Sequence, residues 1–177
     1  MTISLAIDTA TSRTIVGIIQ DDKALFEEFH EGATEHGFAI TELVARALKI
    51  CPQPEQVVVG MGPGPFTGLR VGITFAQTFA LAREIPVVGV CSLDAIEVEQ
   101  SQYTVAIDAR RKEIYWASYK DGVRISGPAV SKPAEVENFI FDQYPNLQKL
   151  VALSSSQNIT EPMYLRRPDA VPTAERA

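Results

Sequence analysis

ISLAIDTATSRTIVGIIQ, residues 3–20, is answered one hundred residues later by YTVAIDARRKEIYWASYK, residues 103–120. In each stretch a run rich in β-branched or aromatic residues ends on an aspartate, Asp8 or Asp108, and a polar turn leads into a second such run. Asp21-Asp22 and Asp121-Gly122 then turn the chain into a third segment, residues 23–30 and 123–126. Two meanders of three strands are predicted. The alignment needs no gap, and the apolar positions and the aspartates of both turns coincide, so the chain reads as a duplicated unit.

Outward from the first meander, TEHGFAITELVARALKI (34–50) carries Ile40, Leu43, Val44 and Ala47 at helical spacing. QVVVGM (56–61) reads as a strand, TGLRVGITFAQTFALAREI (67–85) as a helix and PVVGV (86–90) as a strand, giving βββαβαβ. After the second meander KPAEVENFIFDQ (132–143) is predicted helical and KLVAL (149–153) a strand, and there the pattern stops. A meander followed by alternating helix and strand, twice over, is the plan of the actin-like (ASKHA) α/β fold, two βββαβα-type lobes with the second truncated. The first lobe is expected at residues 1–100, and the shortened second lobe with a C-terminal tail at 101–177.

A chain of 177 residues that is 46% hydrophobic and 21% charged can bury a core of ordinary size. A net charge of -6 repels a phosphate backbone, so contact with nucleic acid would need a partner to supply the basic surface. Cys51 and Cys91 have no metal-ligand spacing and read as reduced, buried thiols. No secretory leader and no run of eighteen apolar residues is present, so a cytoplasmic location without a membrane role is expected.

The segment GMGPGPFTGLRVG (60–72) poses a choice between a phosphate cradle and a close-packing joint. A cradle needs consecutive backbone N–H groups, which Pro63 and Pro65 lack, and the Gly-Lys-Ser/Thr ending of a nucleotide loop is missing. The joint fits better. Gly68, Gly72, Ala76 and Ala80 recur every four residues as a flat stripe, and Val71, Ile73, Phe75, Phe79 and Leu81 surround it. A helix apolar on nearly every side must be covered on nearly every side. The expectation is a second polypeptide lying on that stripe, with Gly72→Trp abolishing association while the lobe stays folded.

IDTATS (7–12), GPGPFTGLRVGITFA (62–76), PVVGVCSLDAI (86–96) and YLRRPDA (164–170) together resemble the TsaB (YeaZ) family of bacterial tRNA threonylcarbamoyladenosine biosynthesis proteins. The resemblance implies an actin-like fold and a non-catalytic paralogue of TsaD, the subunit that transfers a threonylcarbamoyl group to the adenosine beside the tRNA anticodon. It implies pairing with a TsaD-like subunit through the first-lobe helices, a TsaE-like ATPase as further partner, and a homodimer on the same surface when the protein is alone. tRNA would be met only through that assembly. Family members run longer, whereas here SSSQNITEPM (154–163) leads directly to the ending, which implies a shortened second lobe.

The partner surface is expected at Phe38, Thr41, Gly64, Pro65, Phe66, Gly68, Arg70, Val71, Gly72, Phe75, Ala76 and Phe79. Asp8, Thr9, Thr11, Ser12 and Asp108 are the candidates for a remnant nucleotide cleft, since actin-like enzymes place carboxylates at these strand ends around magnesium and phosphate. They also support the rival reading, a small ATP-dependent phosphotransferase using Asp8 and Asp108. No cofactor, resident metal or catalytic residue is expected. His30 and His36 stand six apart rather than in H-x-x-x-H and are expected to face solvent or cap a helix, and no G-x-S-x-G elbow presents a nucleophile. Arg110, Arg111, Lys112 and the pair Arg166-Arg167 form short basic turns that read as solvated loops.

Overall fold

The structure, a computed structural model, describes residues 2–166. Strands β1 (Ile3–Asp8), β2 (Arg13–Gln20) and β3 (Lys23–Glu31) form the first meander, followed by helix α1 (His36–Ile50), β4 (Gln56–Gly60), α2 (Phe66–Arg83) and β5 (Val87–Val90). They build a sheet ordered β3-β2-β1-β4-β5, antiparallel through the meander and parallel at β4 and β5. The second meander is β6 (Gln102–Asp108), β7 (Ile114–Lys120) and β8 (Val123–Ser131), and with β9 (Phe139–Ile140) it gives the order β8-β7-β6-β9. The same order of meander and parallel strand in both sheets is the actin-like plan. No helix among the described residues is long and apolar enough to cross a membrane.

Alternation along the strands sorts the side chains into layers. Leu5, Ile7, Val16, Ile18, Val57 and Val59 face α1 and α2, packing on Ile40, Leu43, Leu69 and Ile73. Ala6, Ile15, Ile19 and Val58 face the other way. They are covered by Leu147, Leu150 and Val151 of a third helix, α3 (Leu147–Leu153), which the chain reaches only after the second meander. The second sheet has a core of its own around Val105, Ile107, Tyr115, Ala117 and Tyr119.

Two predicted elements are exchanged in kind. Residues 132–143 form a 3-10 turn at Pro133–Glu135 and the short strand β9, not a helix, and 149–153 lie in α3, not in a strand. Glu135 closes back on the Lys132 N–H after one turn, and Asn138 takes a left-handed φ of 52°, which interrupts any helix; Phe139 and Ile140 then pair in parallel with Thr104 and Val105. In α3 the Asn146 side chain accepts from the Lys149 N–H at 2.9 Å, and Leu147, Leu150 and Val151 share one buried face. A short apolar run does not distinguish strand from helix without its cap.

The duplication also needs a correction. The second hairpins match at their turns, with Gln20 opposite Lys23, Lys120 opposite Val123 and left-handed Asp21 and Asp121, while the register shifts once in the first, after Ile18, and twice in the second, on either side of Ser118. The first hairpins differ by one residue. Asp8 lies opposite Ile15, whereas Asp108 lies opposite Ile114. A slip of one residue exchanges the faces of a strand, so Ile15 points at α3 while Tyr115 points into the second core.

Leu150 is wholly buried against the first sheet. Leu150→Ala is expected to destabilise the protein by about 2–5 kcal/mol in urea titration. A loss within about 0.5 kcal/mol, the range of surface substitutions, would show that α3 does not seal that sheet.

Candidate functional site

The segment after β4 is fixed from below by Asp8. Its Oδ2 accepts from the Ser92 hydroxyl at 2.6 Å and its Oδ1 from the Ala10 N–H at 2.8 Å, while Ser92 Oγ in turn accepts from the Gly62 N–H at 3.2 Å. A Cβ at Gly60 would fall on the Asp8 carboxylate, so glycine is required there. Asp8 is completely buried, and burial pushes its carboxyl up from 3.8 to about 6 against the opposing effect of both hydrogen bonds.

Helix α2 then lies on the residues that follow Asp8. The Thr9 hydroxyl donates to the Gly68 carbonyl at 2.8 Å. A Cβ on Gly72 would meet the Thr9 side chain, and one on Gly68 would stand 2.8 Å from His36 Nε2. The buried His36 ring, at the start of α1, is held through Nδ1 by the Thr14 hydroxyl at 2.8 Å, and its pKa is lowered chiefly by desolvation. The glycine segment is therefore a joint within the chain. Gly64 approaches Ala10 in the same way, a Cβ there lying 2.7 Å from the Ala10 carbonyl oxygen.

This placement overturns part of the surface expected from sequence. Gly64, Gly68, Gly72 and Ala76 face inward and are covered by Thr9, Ala10, His36 and the sheet, so no second polypeptide can lie on the small-residue stripe. Gly72→Trp would strike Thr9 and damage the fold itself. Pro65, Val71, Phe75 and Phe79 are half-buried, with Phe75 and Phe79 stacked at 6.1 Å. Phe38 (68% exposed), Thr41, Phe66 (44%) and Arg70 face outward. The Thr41 hydroxyl donates back to the Phe38 carbonyl at 2.7 Å, and the Arg70 guanidinium lies 5.1 Å from the centre of the Phe66 ring.

A cavity of about 430 Å³ opens where the two sheets approach, lined among others by Thr11, Ser12, Asp108, Arg110, Asp142 and Tyr144. Of the residues expected there, Thr11, Ser12 and Asp108 line it; Asp8 and Thr9 are sealed beneath the joint. Asp108 accepts from the Arg110 N–H at 2.8 Å, repeating the contact of Asp8 with Ala10, and pairs with the Arg110 guanidinium at 3.2 Å. The Ser12 hydroxyl donates to Glu31 at 2.6 Å, and Thr11 Oγ1 accepts from the Arg13 N–H at 3.1 Å. Asp8 and Asp108 do not meet in this cavity: Asp8 is wholly buried, and the carboxylate that shares the lining with Asp108 is Asp142. No three His, Cys, Asp or Glu side chains come together for a metal among the described residues. His30 pairs with Glu35. His36 is neither exposed nor a cap. Arg166 pairs with Glu113 at 2.8 Å, while Arg167 and the rest of the sequence ending lie outside the described residues.

The chain matches the family described as TsaD, tRNA N6-adenosine threonylcarbamoyltransferase, over residues 30–170. It is 35% identical over 126 residues to the tRNA threonylcarbamoyladenosine biosynthesis protein TsaB of Escherichia coli, an alignment covering 66% of this chain and 54% of that protein. The chain belongs to the TsaB family. An uncharacterized protein of Mycobacterium leprae is 42% identical over 205 residues, covering 97% of this chain and 57% of that one. The chain thus spans little more than half the length of either relative. A solved structure from Pseudomonas aeruginosa, an uncharacterized protein with similarity to peptidase YeaZ, superposes with a TM-score of 0.79 at 22% identity, covering 94% of this chain and all of that one. That likeness speaks for the fold.

Sequence reading of this TsaB-family chain assigned no role to the buried polar group at Asp94, in a 3-10 turn after β5. Asp94 accepts from the Tyr119 hydroxyl at 2.8 Å and from the Gln157 amide at 2.7 Å, and pairs with Arg124 at 3.2 Å. Gln157 Oε1 also takes the Cys91 N–H at 2.9 Å. Burial raises the Tyr119 hydroxyl well above its ordinary range, reinforced by the Asp94 charge, and lifts the Cys91 thiol to about 11. A charged residue between Leu93 and Ala95 is the only local sign of this group, and its partners are remote in sequence.

Because the folded Asp8 pKa exceeds the unfolded value, its contribution to stability is fully present below about pH 3.8 and is lost as pH rises through about 6. The full span corresponds to roughly 3 kcal/mol. Asp8→Asn is expected to lack this fall, visible as a difference in the slope of unfolding free energy against pH between 4 and 6; parallel slopes would refute the assignment. Gly72→Ala is expected to lower stability by about 1–3 kcal/mol in thermal unfolding, since Thr9 must yield.

Proposed function

We propose that this TsaB-family chain is a non-catalytic partner subunit in threonylcarbamoyladenosine modification of tRNA, binding and positioning a TsaD-like catalytic subunit. The observation that carries this reading is the pair of exposed rings Phe38 and Phe66, at the N-terminal turns of α1 and α2. His36 packing on Gly68 brings those two turns together. Large rings beside an arginine on a helical surface are the composition of an interface centre rather than of a solvated face. Thr41, Arg70 and the exposed edges of Val71, Phe75 and Phe79 complete the docking face in this reading.

A TsaE-like ATPase joins the assembly, and the chain pairs with itself through the same face when its partner is absent. tRNA is met only through the assembly, in keeping with a net charge of -6. The cleft at Thr11, Ser12 and Asp108 is a remnant of a nucleotide site, with its Asp8 counterpart withdrawn into the joint.

Isothermal titration with the TsaD-like subunit of the same organism tests the reading. Phe38→Asp is expected to weaken binding by at least about tenfold while leaving the melting temperature unchanged. Full-strength binding by the folded variant would refute it, as would saturable ATP turnover by the isolated chain in magnesium.

A further inference from the structure

The ending YLRRPDA has no part in the function proposed above, yet each of its described residues is engaged. After α3 the chain returns along the outer edge of β5. There the Ile159 N–H donates to the Gly89 carbonyl at 2.8 Å, and the Met163 N–H donates to the Met61 carbonyl at 2.8 Å. A Cβ on Gly89 would fall on the Ile159 carbonyl oxygen, so this edge admits the returning backbone only at a glycine. Ile159 touches both the first-sheet core and the second-sheet core, and Leu165 lies on the second. Arg166 donates to the Ala109 carbonyl at 3.1 Å besides pairing with Glu113. The segment is a strap bonded to both halves of the molecule.

Between those attachments stands Tyr164. Its ring meets Phe66 with centroids 4.8 Å apart, and Phe66 carries the Arg70 guanidinium. Arg70 is exposed, and its described contact is with that ring. By contrast Arg13, Arg46, Arg110, Arg124 and Arg166 pair with carboxylates, and Arg83 donates to the Pro52 carbonyl. An arginine offers five donors, and a cation laid on an aromatic face keeps them available to a further acceptor. Among the described residues Arg70 has no carboxylate partner, so its exposed guanidinium is available to a carboxylate from outside.

We propose that the C-terminal strap sets the docking face: Tyr164 fixes the Phe66 ring, Phe66 holds the Arg70 guanidinium, and Arg70 receives a carboxylate flanked by apolar side chains on the TsaD-like partner. The proposal rests on the reading that the α1–α2 face takes that partner. Tyr164 is a positioning residue. Without it Phe66 and Arg70 sample more rotamers, and binding must then order them.

A double-mutant cycle against the TsaD-like subunit, using the full chain, tests this. Arg70→Ala is expected to weaken binding about tenfold or more and Tyr164→Ala about fivefold, with the double variant no weaker than Arg70→Ala within about twofold. Tyr164→Phe, which keeps the ring, is expected to bind like the parent, and affinity is expected to fall with salt in the parent but little in Arg70→Ala. Tyr164→Leu, which retains apolar cover of Phe66, is measured beside Tyr164→Ala in case the latter unfolds, and is expected to show the same loss. Additive losses, or parent-like affinity in both Tyr164→Ala and Tyr164→Leu, overturn the strap while leaving the docking reading intact, provided Phe38→Asp still weakens binding about tenfold or more. Failure of the parent chain to bind the subunit, or occupation of the face only by a second copy, overturns both.

Discussion

The contact between the Thr9 hydroxyl and the Gly68 carbonyl sets the position of the helix pair on the first sheet. A helix backbone reaches a strand end this closely only where no Cβ intervenes, and Gly68 and Gly72 supply that clearance on one face of α2. The contact fixes the depth of α2 on the sheet and, through His36, the seat of α1 beside it. Asp8 holds the same joint from beneath, an ionisable group kept in the core with Ser92 and Ala10 as its hydrogen-bond partners. Glycines inside a helix each cost about 1 kcal/mol against alanine, and here the return is a close intrachain contact rather than a subunit interface.

Inward closure decides what the helix pair can offer outward. With the small-residue stripe sheathed, the rings of Phe38 and Phe66 and the guanidinium of Arg70 remain in solvent on adjoining helix turns. In the reading proposed above, that face is where the partner subunit docks. The cleft keeps the hydroxyls of Thr11 and Ser12 and the carboxylate of Asp108, but each is already bonded, Thr11 to Arg13 and Asp108 to Arg110 within their own turns and Ser12 to Glu31 at the end of β3. The two halves have diverged in the register of their first hairpins, and with it in which residues line core and cleft.

Long-range polar links tie those halves together. Asp94 collects Tyr119, Arg124 and Gln157 from three separate segments, and Arg166 reaches back to the turn after β6. A buried carboxylate with three partners is costly to break, because each partner left unmatched carries a desolvation penalty. The strap passing through this group touches β5, the glycine joint and the second meander, so the tail and the α2 terminus belong to one connected unit.

Residue order alone determined the two meanders, α1, β4, α2 and β5, because alternating strands, aspartate turns and helical spacing are written in neighbouring residues. It also identified the glycine segment as a joint, since Pro63 and Pro65 cannot serve an anion, and its motifs pointed to the family. Tertiary structure decided which side of the joint is closed, since Gly72 alone does not reveal whether Thr9 or a foreign chain fills its notch. Only folding made residues 147–153 a helix, by offering the uncovered face of the first sheet to Leu150. Only folding separated Asp8 from Asp108, because the same hydrogen bond to the second residue onward is buried in one half and exposed in the other. Local pattern fixes which elements form; the burial available around them fixes which of their residues remain free to act.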